Sequence, residues 1–372
     1  MKFLIVGDIV INQSYNASDK IDKSIVDLFA QSDCNIVNLE APVTDSENKI
    51  LKTGPHLKSD KQSTLNIMKK LNVHIAALAN NHIKDYDEEG VLDTINFCEN
   101  NGIETIGAGA NIKEASETTV LNTLEGKIAI INIAENEWSS ADENAAGANG
   151  MNIIKDTKKI QQAKKENNFV FVIIHGGHEY YNLPSPRMQE QYRFYAEQGA
   201  DLVVGHHTHC ISGYEVYNGT PIYYSLGNFL FTKNSQKEDW YTGLILEVKV
   251  NKGTLEAELH PVRQTKEGFR LSLLKNVEKK EVLRRVEAYS DIIKSEEDLI
   301  KEWHLFVISK QKTYLNYWSP KVFIKNKYVT GVLNRLNVKL INTRGLTYFL
   351  NLMRCEAHYD LSKAIISEYL DK

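Results

Sequence analysis

From residue 1 to about residue 265, short β-branched and aromatic runs alternate with amphipathic stretches of 10–15 residues. That rhythm of buried strands and surface helices reads as an α/β domain. Strands are expected at 3–6, 35–39, 74–78, 128–133, 169–174, 202–204 and 222–224, and helices around 20–31, 61–71, 88–100, 155–165 and 188–198. After Trp240 the period shortens to two over 244–250, and a second such run follows Gly253 over 255–262. This predicts a β-hairpin, so the domain ends in antiparallel sheet rather than another βαβ unit. Beyond it, 277–294, 296–310 and 357–370 carry helical periodicity.

The composition, 42% hydrophobic and 25% charged over 372 residues, is that of a globular chain with one large domain and a smaller one. The longest apolar runs, such as 169–174, fall far short of the roughly 20 residues of a membrane span. The apolar run at 3–6 is too short for a secretory leader. Cys34, Cys98, Cys210 and Cys355 lie far apart without CxxC spacing, which fits a reducing compartment. The expected location is therefore cytoplasmic, with surface or membrane association left open.

Charge divides the chain. Residues 270–372 carry 19 Lys+Arg against 12 Asp+Glu, which leaves 25 basic and 36 acidic residues in 1–269. We place a boundary near Gly268, with an acidic α/β domain over 1–268 and a basic, mainly helical extension over 269–372. Within the extension, 303–355 contains nine Lys/Arg and no Asp or Glu, interleaved with nine aromatic residues. Such a segment can contact a membrane surface or an anionic polymer, or its aromatics can pack onto the acidic domain. No nucleic-acid-binding signature appears, and no nucleic acid is expected as a partner.

Candidate ligands gather where the predicted strands end, the place an α/β sheet presents its working residues. Asp8, Glu40, Asn80-Asn81-His82, His175 and Gly205-His206-His207-Thr208-His209 each follow one. One polar residue after a strand is an ordinary turn or cap; five junctions in succession are not. His207 and His209 are two apart, so in an extended or loop backbone they reach two metals or two sides of one site, whereas His206 reads as a core histidine. Gly107-Ala108-Gly109 reads as a turn, since Ile112 takes the place of a dinucleotide loop's third glycine. Neither a Walker loop nor a Gly-x-Ser-x-Gly nucleophile is present.

Gly7-Asp8, Asn38-Leu39-Glu40, Asn80-Asn81-His82, His175-Gly176-Gly177 and Gly205–His209, in this order, resemble the calcineurin-like metallophosphoesterases. The stretches 79–86, 179–181, 184–187, 199–205 and 225–229 resemble the CapA-type branch named for capsule and poly-γ-glutamate synthesis. The likeness covers about 1–265. It implies a four-layer αββα sandwich with one or two divalent metals (Mn, Fe or Zn) at an edge. Asp8, Glu40 and His209 would hold one metal and Asn81, His175 and His207 the other, with Glu40 bridging.

The same resemblance makes His82 a general acid or charge-stabilising donor, with Asp85, three residues on, orienting its other nitrogen, and Asn228 a substrate contact. From its place on the loop after His175, Arg187 is expected either to clamp an anionic group of the substrate or to form a surface salt bridge, and Glu179 to orient a ligand or, alternatively, to contact substrate. The function it implies is metal-dependent hydrolysis of an anionic phosphoester or polymer in cell-surface polymer synthesis. The alternative is a non-catalytic fold that binds or hands on such a polymer. Three positions depart from the pattern: Val10 replaces an expected imidazole ligand, Gln13 an arginine and Gly176 a tryptophan.

Overall fold

The computed structural model describes residues 1–336, 338, 340–354, 358–359, 366 and 370. Two compact units divide the chain, Met1–Ile300 and Lys301–Lys372. The Gly268 boundary expected from charge falls inside the first. Leu271–Leu273 adds a strand to Thr254–Gln264, and the helix Asn276–Lys294 buries Val282, Val286 and Ile293, so the packing continues past the change in charge.

Two large sheets form the centre of the first unit. One runs, edge to edge, Leu271–Leu273, Thr254–Gln264, Thr242–Asn251, Lys2–Val10, Cys34–Leu39, Ile75–Ala77 and Glu104–Ile106, and Asn228–Phe231 also pairs with Lys2–Val10. The other runs Tyr214–Tyr217, Thr220–Tyr223, Leu202–His206, Phe169–His175, Gly126–Ala134 and Thr119–Thr123. Alternation along the strands decides what lies between and outside them. Phe3, Ile5, Ile36 and Leu246 of the first sheet share one core with Ile128, Ile130, Phe171 and Ile173 of the second. Phe3 and Phe171 meet edge to face at 5.4 Å between centroids.

The alternate residues Leu4, Val6, Ile9 and Val37 pack with Ile25, Phe29, Ile67, Met68, Val91 and Phe97 from helices Lys23–Ala30, Lys61–Lys70 and Asp87–Glu99. Ile153–Glu166 and Pro186–Glu197 are the helices of the second sheet and bury Ile160, Met188, Tyr192 and Tyr195. The fold is the expected α/β four-layer αββα sandwich. The hairpin after Trp240 is present as Thr242–Asn251 against Thr254–Gln264.

Sequence and structure part in a few places. The single helix expected at 20–31 is two, Ala17–Lys20 and Lys23–Ala30, because Asp22 N bonds the Leu271 carbonyl at 3.0 Å and draws the chain between them into a bridge. Strands Thr119–Thr123, Tyr214–Tyr217 and Asn228–Phe231 were not expected; they lie among turn residues and are too short to show a period. In the second unit, Lys327–Arg335 and Thr343–Arg354 are helical with Tyr328, Val332, Phe349 and Met353 exposed. The helix expected at 357–370 lies almost wholly outside the described residues.

Candidate metal centre

The edge where the strands end collects the candidate ligands by distinct local devices. Lys2–Val10 has a register shift between Val6 and Asp8, and a bulge of this kind re-aims the following side chain. Gly7 is required there because any Cβ would collide with the Gly227 carbonyl. His207 and His209 both adopt left-handed backbone, with φ of 91° and 56°. Such conformations cost of order 1–3 kcal/mol each in a non-glycine residue and persist where the surroundings fix them. This Gly-His-His-Thr-His turn brings both imidazoles to the carboxylates.

Asp8, Glu40 and His209 offer donor atoms within 4.8 Å of one another, as do Glu40, His175 and His207. Glu40 belongs to both groups. Its Oε1 is 3.8 Å from His175 Nε2 and 3.8 Å from His209 Nε2, and all of these side chains are buried. Asn81 Oδ1 stands 3.0 Å from His175 Nε2, and His207 Nδ1 stands 3.1 Å from the same nitrogen. Asp8 Oδ2 is 3.3 Å from His209 Nδ1, while its Oδ1 accepts from Asn38 at 2.7 Å.

Electrostatics give this cluster a direction. Both Glu40 carboxylate oxygens are buried without a hydrogen-bond partner, a costly state for an ionised group unless a cation pairs with it. Burial, reinforced by the neighbouring Asp8 charge, holds the Glu40 carboxyl well above its ordinary range. Burial and the surrounding imidazoles hold His175 well below its own, so it is neutral and free to coordinate. His209 goes the other way: against burial, Glu40 and Asp8 keep it up at about 9. A divalent cation held by Glu40 would satisfy the orphaned oxygens, and the mixed oxygen and imidazole donors suit a transition metal.

His82 borders this set. Its Nδ1 lies 2.6 Å from Asp85 Oδ2, and Asp85 also accepts from Leu57 N at 2.7 Å and pairs with Lys52. His206, as expected of a core residue, bonds the Val6 carbonyl at 3.0 Å. Val10, where the resemblance implies an imidazole, packs with Ala41, Leu57, Phe231, Trp240 and Tyr241 and supplies no donor.

The three expected substrate contacts stand differently. Asn228 is buried: its Oδ1 is 3.0 Å from His209 Nδ1 and its amide donates to the Trp240 carbonyl at 3.1 Å, so both ends of the amide are engaged within the protein. Arg187 pairs with Glu135 at 2.5 Å and donates to Gln191, with much of its guanidinium exposed. Glu179 is exposed and adds negative charge felt by Glu40, His207 and His209. Lys52 and Glu137 were missed by sequence reasoning. Both lie in aperiodic loops, where a charged residue reads as solvated.

Residues 2–233 match the family model described as bacterial capsule synthesis protein PGA_cap. The chain belongs to that family. It is 33% identical over 236 residues to the PGA biosynthesis protein CapA of Bacillus subtilis (strain 168), a match covering 61% of this chain and 62% of the relative. With the capsule biosynthesis protein CapA of Bacillus anthracis it shares 31% over 242 residues, 61% of this chain and 59% of that one. The match thus spans about three-fifths of these relatives' length. Among solved structures, a phosphatase from Mycoplasma pneumoniae aligns with a TM-score of 0.45 at 16% identity, over 72% of this chain and 95% of that one. Family membership and the four-layer sandwich agree with the likeness to calcineurin-like metallophosphoesterases read from the motifs.

Proposed function

We propose that this chain is a metal-dependent phosphoester hydrolase serving capsule or poly-γ-glutamate-type polymer synthesis. The observation that carries the reading is the pair of buried donor groups sharing Glu40, with its two orphaned carboxylate oxygens, beside a histidine held by a carboxylate. Asp8, Glu40 and His209 would hold one cation and Glu40, Asn81, His175 and His207 a second. Cations there supply Lewis acidity toward a phosphoryl oxygen and activate water as the nucleophile.

The chain's own residues do the rest. Asp85 fixes the His82 ring through Nδ1, so Nε2 gives a proton to the leaving oxygen when the ring carries both protons, a state that burial opposes and the Asp85 carboxylate favours. Asn228 holds His209, and Asn38 holds Asp8. Because Val10 withdraws a donor, the position around Asp8 has the smaller ligand set and is the weaker one. The acid-free segment 303–355 carries nine Lys/Arg, a charge that would suit contact with an anionic polymer or lipid surface.

The test is hydrolysis of a panel of phosphoesters by the metal-reconstituted chain and by His82→Ala, with retention of an anionic γ-glutamyl polymer measured alongside. Turnover lost on replacing His82 supports the hydrolase. A chain inert toward every phosphoester that still retains the polymer is a binding component instead.

A further inference from the structure

The loop that follows the strand Gly126–Ala134 supplies none of the donors above, yet it touches three of the residues that do. Glu135 N donates to the His175 carbonyl at 2.9 Å, and Glu135 Oε2 accepts from Gly177 N at 3.0 Å. Ser139 Oγ donates to the Asn81 carbonyl at 2.7 Å. Between them, Glu137 Oε1 lies 3.9 Å from His207 Nε2, and the nearby Asn81 side chain stabilises the Glu137 carboxylate against the burial that pushes its pKa up. Residues 135–139 thus hydrogen-bond to the backbone of His175 and Asn81 and bring a carboxylate up to His207.

The two ring nitrogens of His207 have different neighbours. Nδ1 is 3.1 Å from His175 Nε2, within the donor cluster, whereas Nε2 is the nitrogen nearest Glu137. An imidazole coordinates through an unprotonated nitrogen, so its hydrogen must sit on the other one. A carboxylate beside Nε2 favours the hydrogen there and leaves Nδ1 bare. Asn81 neighbours the same carboxylate: its Oδ1 is 3.0 Å from His175 Nε2, which leaves its amide NH2 as the end able to interact with Glu137. One side chain therefore biases the tautomer of one donor and the amide orientation of another. Its position on the outer nitrogen of His207, with 41% of the side chain exposed, sets it behind the donors rather than among them.

The chain's departure at Gly176 belongs to the same arrangement. A Cβ at that position would lie 2.6 Å from Glu135 Cγ. Glu135 in this place needs glycine at 176, so the loop and the missing side chain go together.

We propose that Glu137 is a positioning residue that orients His207 and Asn81 for the cation they share with Glu40 and His175. The inference rests on the metal reading above. Partners of this kind typically alter metal affinity by about 10–100-fold.

Calorimetric titration of the purified full-length chain with Mn(II), beside Glu137→Ala and Glu137→Gln, tests it. Glu137→Ala should weaken one of the binding events by about 10–100-fold, and Glu137→Gln, which keeps one acceptor oxygen, should fall between. In metal-free protein, ¹⁵N-histidine spectra should show His207 with its hydrogen on Nε2 in wild type and a mixture of tautomers in Glu137→Ala. A merely structural carboxylate would not move that signal. Wild type that binds no Mn(II) overturns the metal reading itself. Wild type that binds, with Glu137→Ala binding equally tightly and its tautomer unchanged, overturns the role of Glu137 alone.

Discussion

Lys52 Nζ and the Asp85 carboxylate form a buried ion pair, with side chains 3% and 0% exposed. The lysine also stands 3.2 Å from His82 Nδ1, so one buried carboxylate serves a lysine, a histidine and the Leu57 backbone at once. Removing one partner of such a pair leaves an uncompensated charge, at a typical cost of 3–5 kcal/mol. Lys52→Met is therefore expected to lower unfolding stability by about 3 kcal/mol in urea. Stability within about 0.5 kcal/mol of wild type would mean that Asp85 needs no lysine.

The first unit's end gives a prediction that magnitudes decide. A chain stopped after Gly268 loses Leu271, Leu274, Val282, Val286 and Ile293, all nearly or wholly buried. At roughly 1.5–3 kcal/mol for each buried side chain, the loss rivals the entire 5–15 kcal/mol stability of a typical domain. The 1–268 chain should aggregate, while a 1–300 chain should melt cooperatively. A soluble, cooperative 1–268 chain would restore the boundary drawn from charge.

Asp156 ties stability to pH. Burial pushes its carboxyl up to about 6, although Tyr195 OH at 2.9 Å and Asn152 N at 2.8 Å donate to its Oδ2 and pull the other way. A folded-state value above the unfolded one means that the group's contribution is complete below pH 3.8 and is lost as pH rises through about 6. Asp156→Asn keeps an oxygen for both donors and does not titrate. Between pH 5 and pH 7.5 it should gain about 1 kcal/mol or more relative to wild type in chemical denaturation. A difference independent of pH would contradict this account.

The strand ends were legible because each is a polar residue closing an apolar run, a contrast that survives without knowledge of the fold. Asp8, Glu40, Asn81, His175, His207 and His209 were all marked this way, and the structure gathers them. The pairing of Asp85 with His82 was readable from a three-residue spacing. Lys52, Glu137 and the place of Asn228 were not. Lys52 is 30 residues from His82 and Glu137 is 70 from His207, so only the sheets bring them together. The place of Asn228 beside Asp8 was hidden because it depends on a strand too short to recognise. Gly268 looked like a boundary because composition changes there while packing does not.

The central claim is that a cation-dependent site carries out hydrolysis with His82 as the proton donor. The direct test is steady-state turnover of phosphoesters by the Mn(II)-reconstituted chain, wild type against His82→Ala, with bound metal quantified in both. The account predicts unchanged metal content and turnover lower by about 10²–10⁴-fold in the variant. Equal turnover at equal metal content would contradict it.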